Sequence, residues 1–216
     1  VPVMMLPLGV LKGLRNIPTA NQLELVPYFL AGGSDGLDTD LGIDVRYGLT
    51  SKTIMKVTFN PDFGQVEADP SVLNLTAFET FYEEKRPFFS EGSDFFSQRI
   101  TLFNSRRIGK RPNFYIPDEG EINGLSNYTT ILGATKIMGS TTSNINYGII
   151  SAITKEERAT IDDSLFVRKI IVEPRTNYSI GRFEFPIFNT ISKVGFMGTN
   201  VIRENAVGAN VIGGDW

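Results

Sequence analysis

The sequence predicts an all-β protein: part of an antiparallel up-and-down transmembrane β-barrel, with a long, part-helical insert. Three observations predict it. Apolar and polar residues alternate one by one, as they do along a β-strand. The alternating segments are about ten residues long, which is the length of a strand that crosses a membrane. Short turns alternate with longer polar loops. Residues 60–128 then interrupt the pattern with a stretch far too long for a hairpin loop.

Composition narrows the classes of function. The chain has 216 residues, a net charge of −3, and neither Cys nor His. It therefore has no disulfide, no thiolate nucleophile and no His-based catalytic triad, and zinc sites become improbable. Any catalysis would fall to Asp, Glu, Lys, Tyr or Arg. The acidic balance argues against nucleic acid as a partner, and no cofactor is expected.

The first barrel strands are predicted within residues 22–59. In "LGIDVRYGL", the odd positions from Leu41 to Leu49 are apolar, whereas Asp44 and Arg46 lie on the opposite face. "TSKTIMKVTF" continues this alternation after a tight turn, and "QLELVPYFLAG" is a further strand whose Pro27 suits an edge or a bulge. Residues 1–21 are interpreted as a lead-in from an upstream domain, and the chain as a piece of a longer protein.

Further barrel strands are predicted within residues 129–216. "TILGATKIMG" and "SNINYGIISAITK" flank the turn "STTS", and "SLFVRKIIVE" and "NYSIGRFEFPIF" flank the turn "PRT". "KEERATIDD" is interpreted as a long loop. "ISKVGFMGTNVIR" and "AVGANVIGGDW" are the last predicted strands, which brings the number to about nine, and the barrel is expected to be incomplete. Polar strand faces rich in Gly, Asn, Lys and Arg favour a membrane barrel with a polar lumen. A soluble β-sandwich or lipocalin-like barrel remains the alternative.

The insert, residues 60–128, carries helix signals and segregated charge. Asp69 as N-cap, Pro70 at the first position and Pro87 as a stop predict a short helix over about 70–85. Carboxylates dominate its first half, and residues 99–111 carry basic side chains without an acid. We expect the two halves to pair with each other and with Arg46, Lys56 and Lys136 on the polar strand face. The insert would then fill the barrel as a plug, or form an inlet domain at its mouth.

Several insert residues are candidates for binding, and each has a structural alternative. Three carboxylates in "NPDFGQVEAD" suit a calcium site or a turn. Glu83, Glu84 and Glu91 suit a glycosidase acid and nucleophile or plain ion pairs. "SRRIGKRP" suits a bound phosphate or pairing within the insert, and "PFFSEGSDFF" suits sugar stacking or a small aromatic core. The candidate binding residues are Asp62, Glu67, Asp69, Glu83, Arg86, Glu91, Arg106 and Arg107; no catalytic residue and no metal ligand is assigned.

The segments "LELVPYFLAGG", "DLGIDVRYGLT", "VTFNPDFGQVEADPSVLNLTAFETFYEEKRPFFSEGSDFF" and "NSRRIGKRP" resemble a family of large bacterial outer-membrane β-barrel proteins. Its members typically carry a family-9 carbohydrate-binding-like domain ahead of the barrel, here upstream of the chain. The resemblance covers residues 23–139. It implies the outer membrane of a Gram-negative bacterium, lipid surroundings, and envelope proteins or glycans as partners. It brings no catalytic residues.

The resulting functional hypothesis is a non-enzymatic outer-membrane barrel that serves in transport or as a scaffold of an envelope complex. Two alternatives remain open. One is an envelope glycan hydrolase that uses carboxylates of the insert. The other is a soluble β-barrel binding module, which would need no detergent.

Overall fold

A computed structural model describes residues 22–32, 38–61, 84–113, 115, 121–163 and 166–216. Its strands are β1 Leu23–Gly32, β2 Asp38–Thr50, β3 Thr53–Phe59, β4 Glu121–Asn123, β5 Ile131–Ser140, β6 Asn146–Thr154, β7 Glu157–Asp163, β8 Phe166–Glu173, β9 Thr176–Ile187, β10 Asn189–Arg203 and β11 Ala209–Asp215. Two four-residue helices, α1 Pro87–Ser90 and α2 Ser93–Phe96, and a 3₁₀ turn, Ser105–Arg107, lie between β3 and β4. None of the helices described is long and apolar enough to cross a membrane.

The main sheet contains eight antiparallel strands in the order β1-β2-β3-β5-β6-β9-β10-β11. Each strand pairs with the next main-sheet strand along the chain, so the prediction of an all-β, antiparallel, up-and-down arrangement is confirmed. The sheet is open within the described residues, with β1 and β11 at its edges, and no closed barrel forms there. Pro27 lies in the edge strand β1, where a missing backbone donor is tolerated.

A second sheet of three strands, in the order β4-β7-β8, corrects two predictions. "KEERATIDD" is not a loop, because its residues 157–163 form β7 with Ala159 and Ile161 buried. "PRT" is not a hairpin turn, because β8 pairs with β7 whereas β9 pairs with β6 and β10. Charged residues on both faces of β7 left little apolar–polar alternation in its sequence, so the strand was not predicted. The short strand β4 also lies inside the range predicted to be an insert.

The predicted helix over 70–85 falls mostly outside the described residues. Its last part is wrong, because residues 84–86 are not helical and Arg86 is extended, with φ −69° and ψ 122°. Pro87, predicted to stop a helix, instead begins α1. Proline suits this position because its fixed φ matches the first helical residue and its missing N–H has no partner there anyway.

Residues 84–113, which we call the covering segment, pack against one face of the main sheet. Phe88, Phe89, Phe96 and Ile108 of this segment are buried in a core. The sheet contributes Ile131, Ala134, Ile150, Ala152, Tyr178, Ile180 and Met197 to the same core. Burying a side chain as large as Phe or Ile contributes about 1.5–3 kcal/mol, so this contact is a substantial part of the fold. We call this side of the sheet the covered face and the opposite side the open face.

Gly148 of β6 gives a test of how closely the covering segment approaches the sheet. A Cβ at this position would lie 2.6 Å from Phe96 and 2.8 Å from Phe95. We expect Gly148→Ala to destabilise the protein by about 1–3 kcal/mol, the usual effect of overpacking, measured by denaturant unfolding. Gly181→Ala is the matched control, since its Cβ would meet only Phe183 at 3.8 Å. Equal effects of the two substitutions would contradict this packing.

Candidate functional site

Charge is strictly segregated between the two faces of the main sheet. Side chains alternate along a strand, and directly paired residues share a face, so the register assigns each residue to one side. All charged residues of the main sheet whose side chains the structure describes lie on the covered face. They are Glu24, Asp44, Arg46, Lys56, Lys136, Arg182, Glu184, Lys193, Arg203 and Asp215. The open face of the same strands therefore carries no described charge.

The open face is broadly apolar, and no described element covers it. Leu41, Phe59, Phe196 and Ile212 are 68%, 54%, 54% and 84% exposed on it. One register row is polar but uncharged: Thr135, Ser151, Ser179, Asn200 and Asn210. Apolar surfaces that extend across many strands are typical of sites that contact protein or lipid.

The second sheet serves as an internal comparison. In β8, Arg168 and Lys169 are adjacent, and both are exposed. Adjacent residues of a strand point to opposite faces, so this sheet presents charge on both sides. The uncharged face is therefore a property of the main sheet and not of every sheet in the chain.

Several aromatic residues of the open face lie in one row near its short connections. Tyr147, Phe183 and Phe196 occupy one register row, close to the turns that join β2 to β3, β5 to β6 and β9 to β10. The Phe185 and Phe196 rings lie 6.3 Å apart in an edge-to-face arrangement. Girdles of aromatic residues are typical of the membrane–water boundaries of transmembrane barrels.

Arg86 holds the covering segment together. It is buried, and it donates to the Ile108 carbonyl at 2.6 Å and to the Ser105 carbonyl at 2.8 Å. Its guanidinium also donates to both carboxylate oxygens of Glu84, at 2.8 and 2.7 Å, and lies 4.3 Å from the centre of the Phe89 ring. The Ser105 hydroxyl donates to Glu84 at 2.6 Å. This cluster joins the beginning of the segment to residues 105–108.

The Glu84 carboxylate makes the stability of this cluster depend on pH. Burial alone would raise the pKa of Glu84, but hydrogen bonds and charge from Arg86, with a hydrogen bond from Ser105, hold that pKa below its ordinary value. A group with a lowered pKa stabilises the fold above its unfolded-state pKa, and that contribution is lost as pH falls through the folded-state pKa.

We therefore expect the stability difference between wild type and Glu84→Gln to be largest at neutral pH. It should shrink as pH falls below the ordinary range of a glutamate. Urea unfolding at a series of pH values from 7 to 3 measures it. A pH-independent difference would contradict the ionised Glu84–Arg86 pair.

Lys136 and Lys56 attach the covering segment to β5 and β3. Lys136 is 3% exposed, donates to the carbonyls of Phe88 and Glu91, and lies 5.1 Å from the centre of the Phe88 ring. Lys56 pairs with the Glu91 carboxylate. Both lysines lie on the covered face as cross-strand partners. A buried cation needs such partners, so these contacts fix the position of α1 on the sheet.

Arg182 makes the corresponding attachment on β9. Its guanidinium pairs with Asp215 of β11 at 2.9 Å and with Glu184 at 3.0 Å, and lies 5.7 Å from the centre of the Phe95 ring. Gln98 of the covering segment donates to the same Asp215 carboxylate at 2.7 Å. Side chains of three elements therefore converge on Arg182 and Asp215, and they hold α2 in place.

The candidate binding residues predicted from the sequence lie in different parts of the structure. Asp62, Glu67, Asp69 and Glu83 lie outside the described residues. Arg86 is buried at the centre of the covering segment, and Glu91 is an exposed partner of Lys56. The backbone N–H of Arg106 donates to the Asn104 side chain, and Arg107 lines a cavity between the covering segment and the sheet.

The described residues bear on parts of two alternative interpretations. Of the phenylalanines proposed for sugar stacking, Phe88, Phe89 and Phe96 are buried in the core, and Phe95 is partly buried against it. Glu84 is held by Arg86 and Ser105, which does not suit a general acid that must keep a proton at neutral pH. Within the described part of the chain, no cluster of acidic residues has the arrangement of a metal site.

Sequence reasoning missed Arg182 and Asp215. A signal was present in "NYSIGRFEFPIF", where Arg182 and Glu184 share one parity and the phenylalanines Phe183 and Phe185 share the other. A charged pair two residues apart in a strand points to one polar face. Asp215 has the same parity in β11, but its partner comes from β9, which no local pattern indicates.

Together these features define an antiparallel β-sheet with two different faces. The covered face carries the described charges and packs against the covering segment, and the open face is apolar and carries no described charge. The chain belongs to the family described as Domain of unknown function (DUF5916), whose model matches residues 19–216. No curated protein and no solved structure matches the chain significantly.

Proposed function

We propose that this chain forms part of a β-barrel of a bacterial outer membrane, with the open face toward lipid and the covering segment inside the lumen. One observation carries the proposal: the described charges of the main sheet all lie on the covered face. Transmembrane barrels alternate apolar residues toward lipid with polar residues toward the lumen, so charge is confined to one parity. A soluble sandwich would instead place charge on its exposed face.

Strand lengths and connections support the same proposal. β1, β5 and β6 have 10, 10 and 9 residues, and membrane-crossing strands need about 9–11. β2, β9 and β10 are longer, with 13, 12 and 15 residues, and β3 and β11 are shorter, with 7 each. Short turns join β2 to β3, β5 to β6 and β9 to β10 at one end of the sheet, whereas β7 and β8 extend the chain at the other. Outer-membrane barrels have short turns at one end and long connections at the other.

The proposed role is transport, or a scaffold in an envelope complex. A lumen filled by a folded segment passes nothing until that segment moves. The segment is attached to the wall by a few contacts with charged residues, at Lys56, Lys136 and Asp215, in addition to its aromatic core. Such contacts can be broken by a competing ligand or partner, which is why transport is the preferred role.

Membrane fractionation and bilayer conductance of the full-length protein test this proposal. We expect the protein to sediment with the outer membrane and to conduct weakly in planar bilayers. Deletion of residues 84–113 should open a large stepwise conductance, and Lys136→Met should open it more often than in wild type. Solubility without detergent would refute the membrane location, and unchanged conductance of the deletion variant would refute the filled lumen.

A further inference from the structure

A cavity of about 490 Å³ lies between the covering segment and the covered face of β9, β10 and β11. Cavities of this size hold small-molecule ligands. It does not involve Arg86, Lys136 or Arg182, which fasten the segment elsewhere. The cavity is therefore distinct from the attachments described above.

Specific contacts at both ends of the cavity keep it open. At one end the Tyr178 hydroxyl reaches the Arg107 carbonyl at 3.5 Å. Toward the other end, Leu102 packs against the backbone of Gly213, where no side-chain atom intervenes, and Gln98 donates to Asp215. The covering segment thus bridges the sheet at two places and leaves a space between them.

The lining combines an apolar wall with positive charge. Apolar side chains from both the segment and the sheet form one part of the lining, including Leu102, Phe103, Ile180 and Val211. Uncharged polar residues form another part: Thr101, Asn104, Asn113, Thr199 and Asn200. Three cations, Arg107, Lys110 and Arg203, also line it, and the described lining contains no carboxylate.

The nearby carboxylate of Glu173 belongs to a different contact. It is 3% exposed, accepts from the Asn113 backbone N–H at 3.2 Å and does not line the cavity.

We propose that this cavity binds a phosphate monoester that carries a hydrocarbon portion. Arg and Lys side chains are the usual partners of phosphate oxygens, and several cations together favour a multiply charged head group over a carboxylate. The apolar part of the wall suits the hydrocarbon portion of such a ligand. The inference is separate from the membrane proposal, because it requires only that the covering segment is docked on the sheet.

Calorimetric titration of the purified full-length protein with hexyl phosphate tests the proposal. Inorganic phosphate and hexyl glucoside supply the two halves of this ligand separately. We expect hexyl phosphate to bind at least about tenfold more tightly than either half, because the charged and the apolar contacts act together. Equal affinity for inorganic phosphate would indicate only a surface cluster of cations that binds anions, and would overturn the proposal. Absence of hexyl phosphate binding would overturn it as well.

Substitutions locate the site. Lys110→Gln and Arg203→Gln should each weaken hexyl phosphate binding about tenfold or more, since each removes a charge-assisted contact. Lys52→Gln and Arg168→Gln remove the same charges from exposed positions outside the cavity and should leave binding unchanged. Thr199→Phe, which fills the sheet side of the cavity, should abolish binding while the unfolding midpoint stays near that of wild type. Binding that is lost equally in the control variants would contradict the site.

Discussion

Ile149→Lys is expected to destabilise the full-length protein in phospholipid vesicles by about 2–4 kcal/mol, the cost of a lysine on the lipid face of a transmembrane barrel near the midplane. Ile149 lies on the open face of β6 and is 43% exposed. In water, a charge at such a position would cost little, because the ammonium group could extend into solvent. Urea unfolding in vesicles measures the difference.

Val167→Lys is the matched control for this prediction. Val167 is 69% exposed, but it lies in β8 of the second sheet, which carries charge on both faces. Its substitution should change the free energy of unfolding by about 0.5 kcal/mol or less, as at an ordinary exposed position. If both substitutions have the same small effect, the open face does not contact lipid.

Arg86→Met is expected to release the covering segment. The substitution leaves the Glu84 carboxylate buried without its cation and removes the donors to the Ile108 and Ser105 carbonyls. Removing one partner of a buried ion pair costs about 3–5 kcal/mol. Because Arg86 joins the beginning of the segment to residues 105–108, we expect this cost to act mainly on its docking.

Hydrogen exchange of amides in residues 87–108 measures that docking directly. We expect exchange at least about 100-fold faster in Arg86→Met, which corresponds to the lower part of the predicted cost. Arg99→Met is the control, because Arg99 is an exposed residue of the same segment. Equal protection of the two variants would show that Arg86 does not hold the segment.

The sequence predicted the main sheet well because its strands follow a strict period. In β2 and β3, every apolar residue from Leu41 to Phe59 that the pattern placed on one face lies on the open face. The charged residues Arg46, Lys56 and Lys136 lie on the other face, as the same parity requires. The register follows from this period, since a slip by one residue would move every side chain to the wrong side.

Elements whose position depends on distant contacts were harder to predict. β7 was missed because charged residues fill both of its faces, so no alternation remained except at Ala159 and Ile161. The end of β8 was misread because Pro174 and Arg175 resemble a turn, whereas the chain there passes from one sheet to the other.

The candidate site was predicted only in part for the same reason. Pairing between the insert and Lys56 or Lys136 could be expected from complementary charge, and Lys56 does pair with Glu91. The role of Arg86 could not be read from charge alone, because its strongest contacts outside Glu84 are to backbone carbonyls. Any residue can supply a carbonyl, so a composition-based pattern does not reveal such partners.

The central claim, that the open face contacts lipid, is tested most directly by nitroxide labels at single introduced cysteines. Residues 1–216 contain no Cys, so each label reports one position within them. We would label Ile43, Ile149 and Phe196 on the open face, and Val167 on the second sheet, in full-length protein reconstituted in vesicles. We predict that the three open-face labels collide more often with oxygen than with a water-soluble nickel chelate, and that the Val167 label shows the reverse. Nickel access at all four positions would contradict the account.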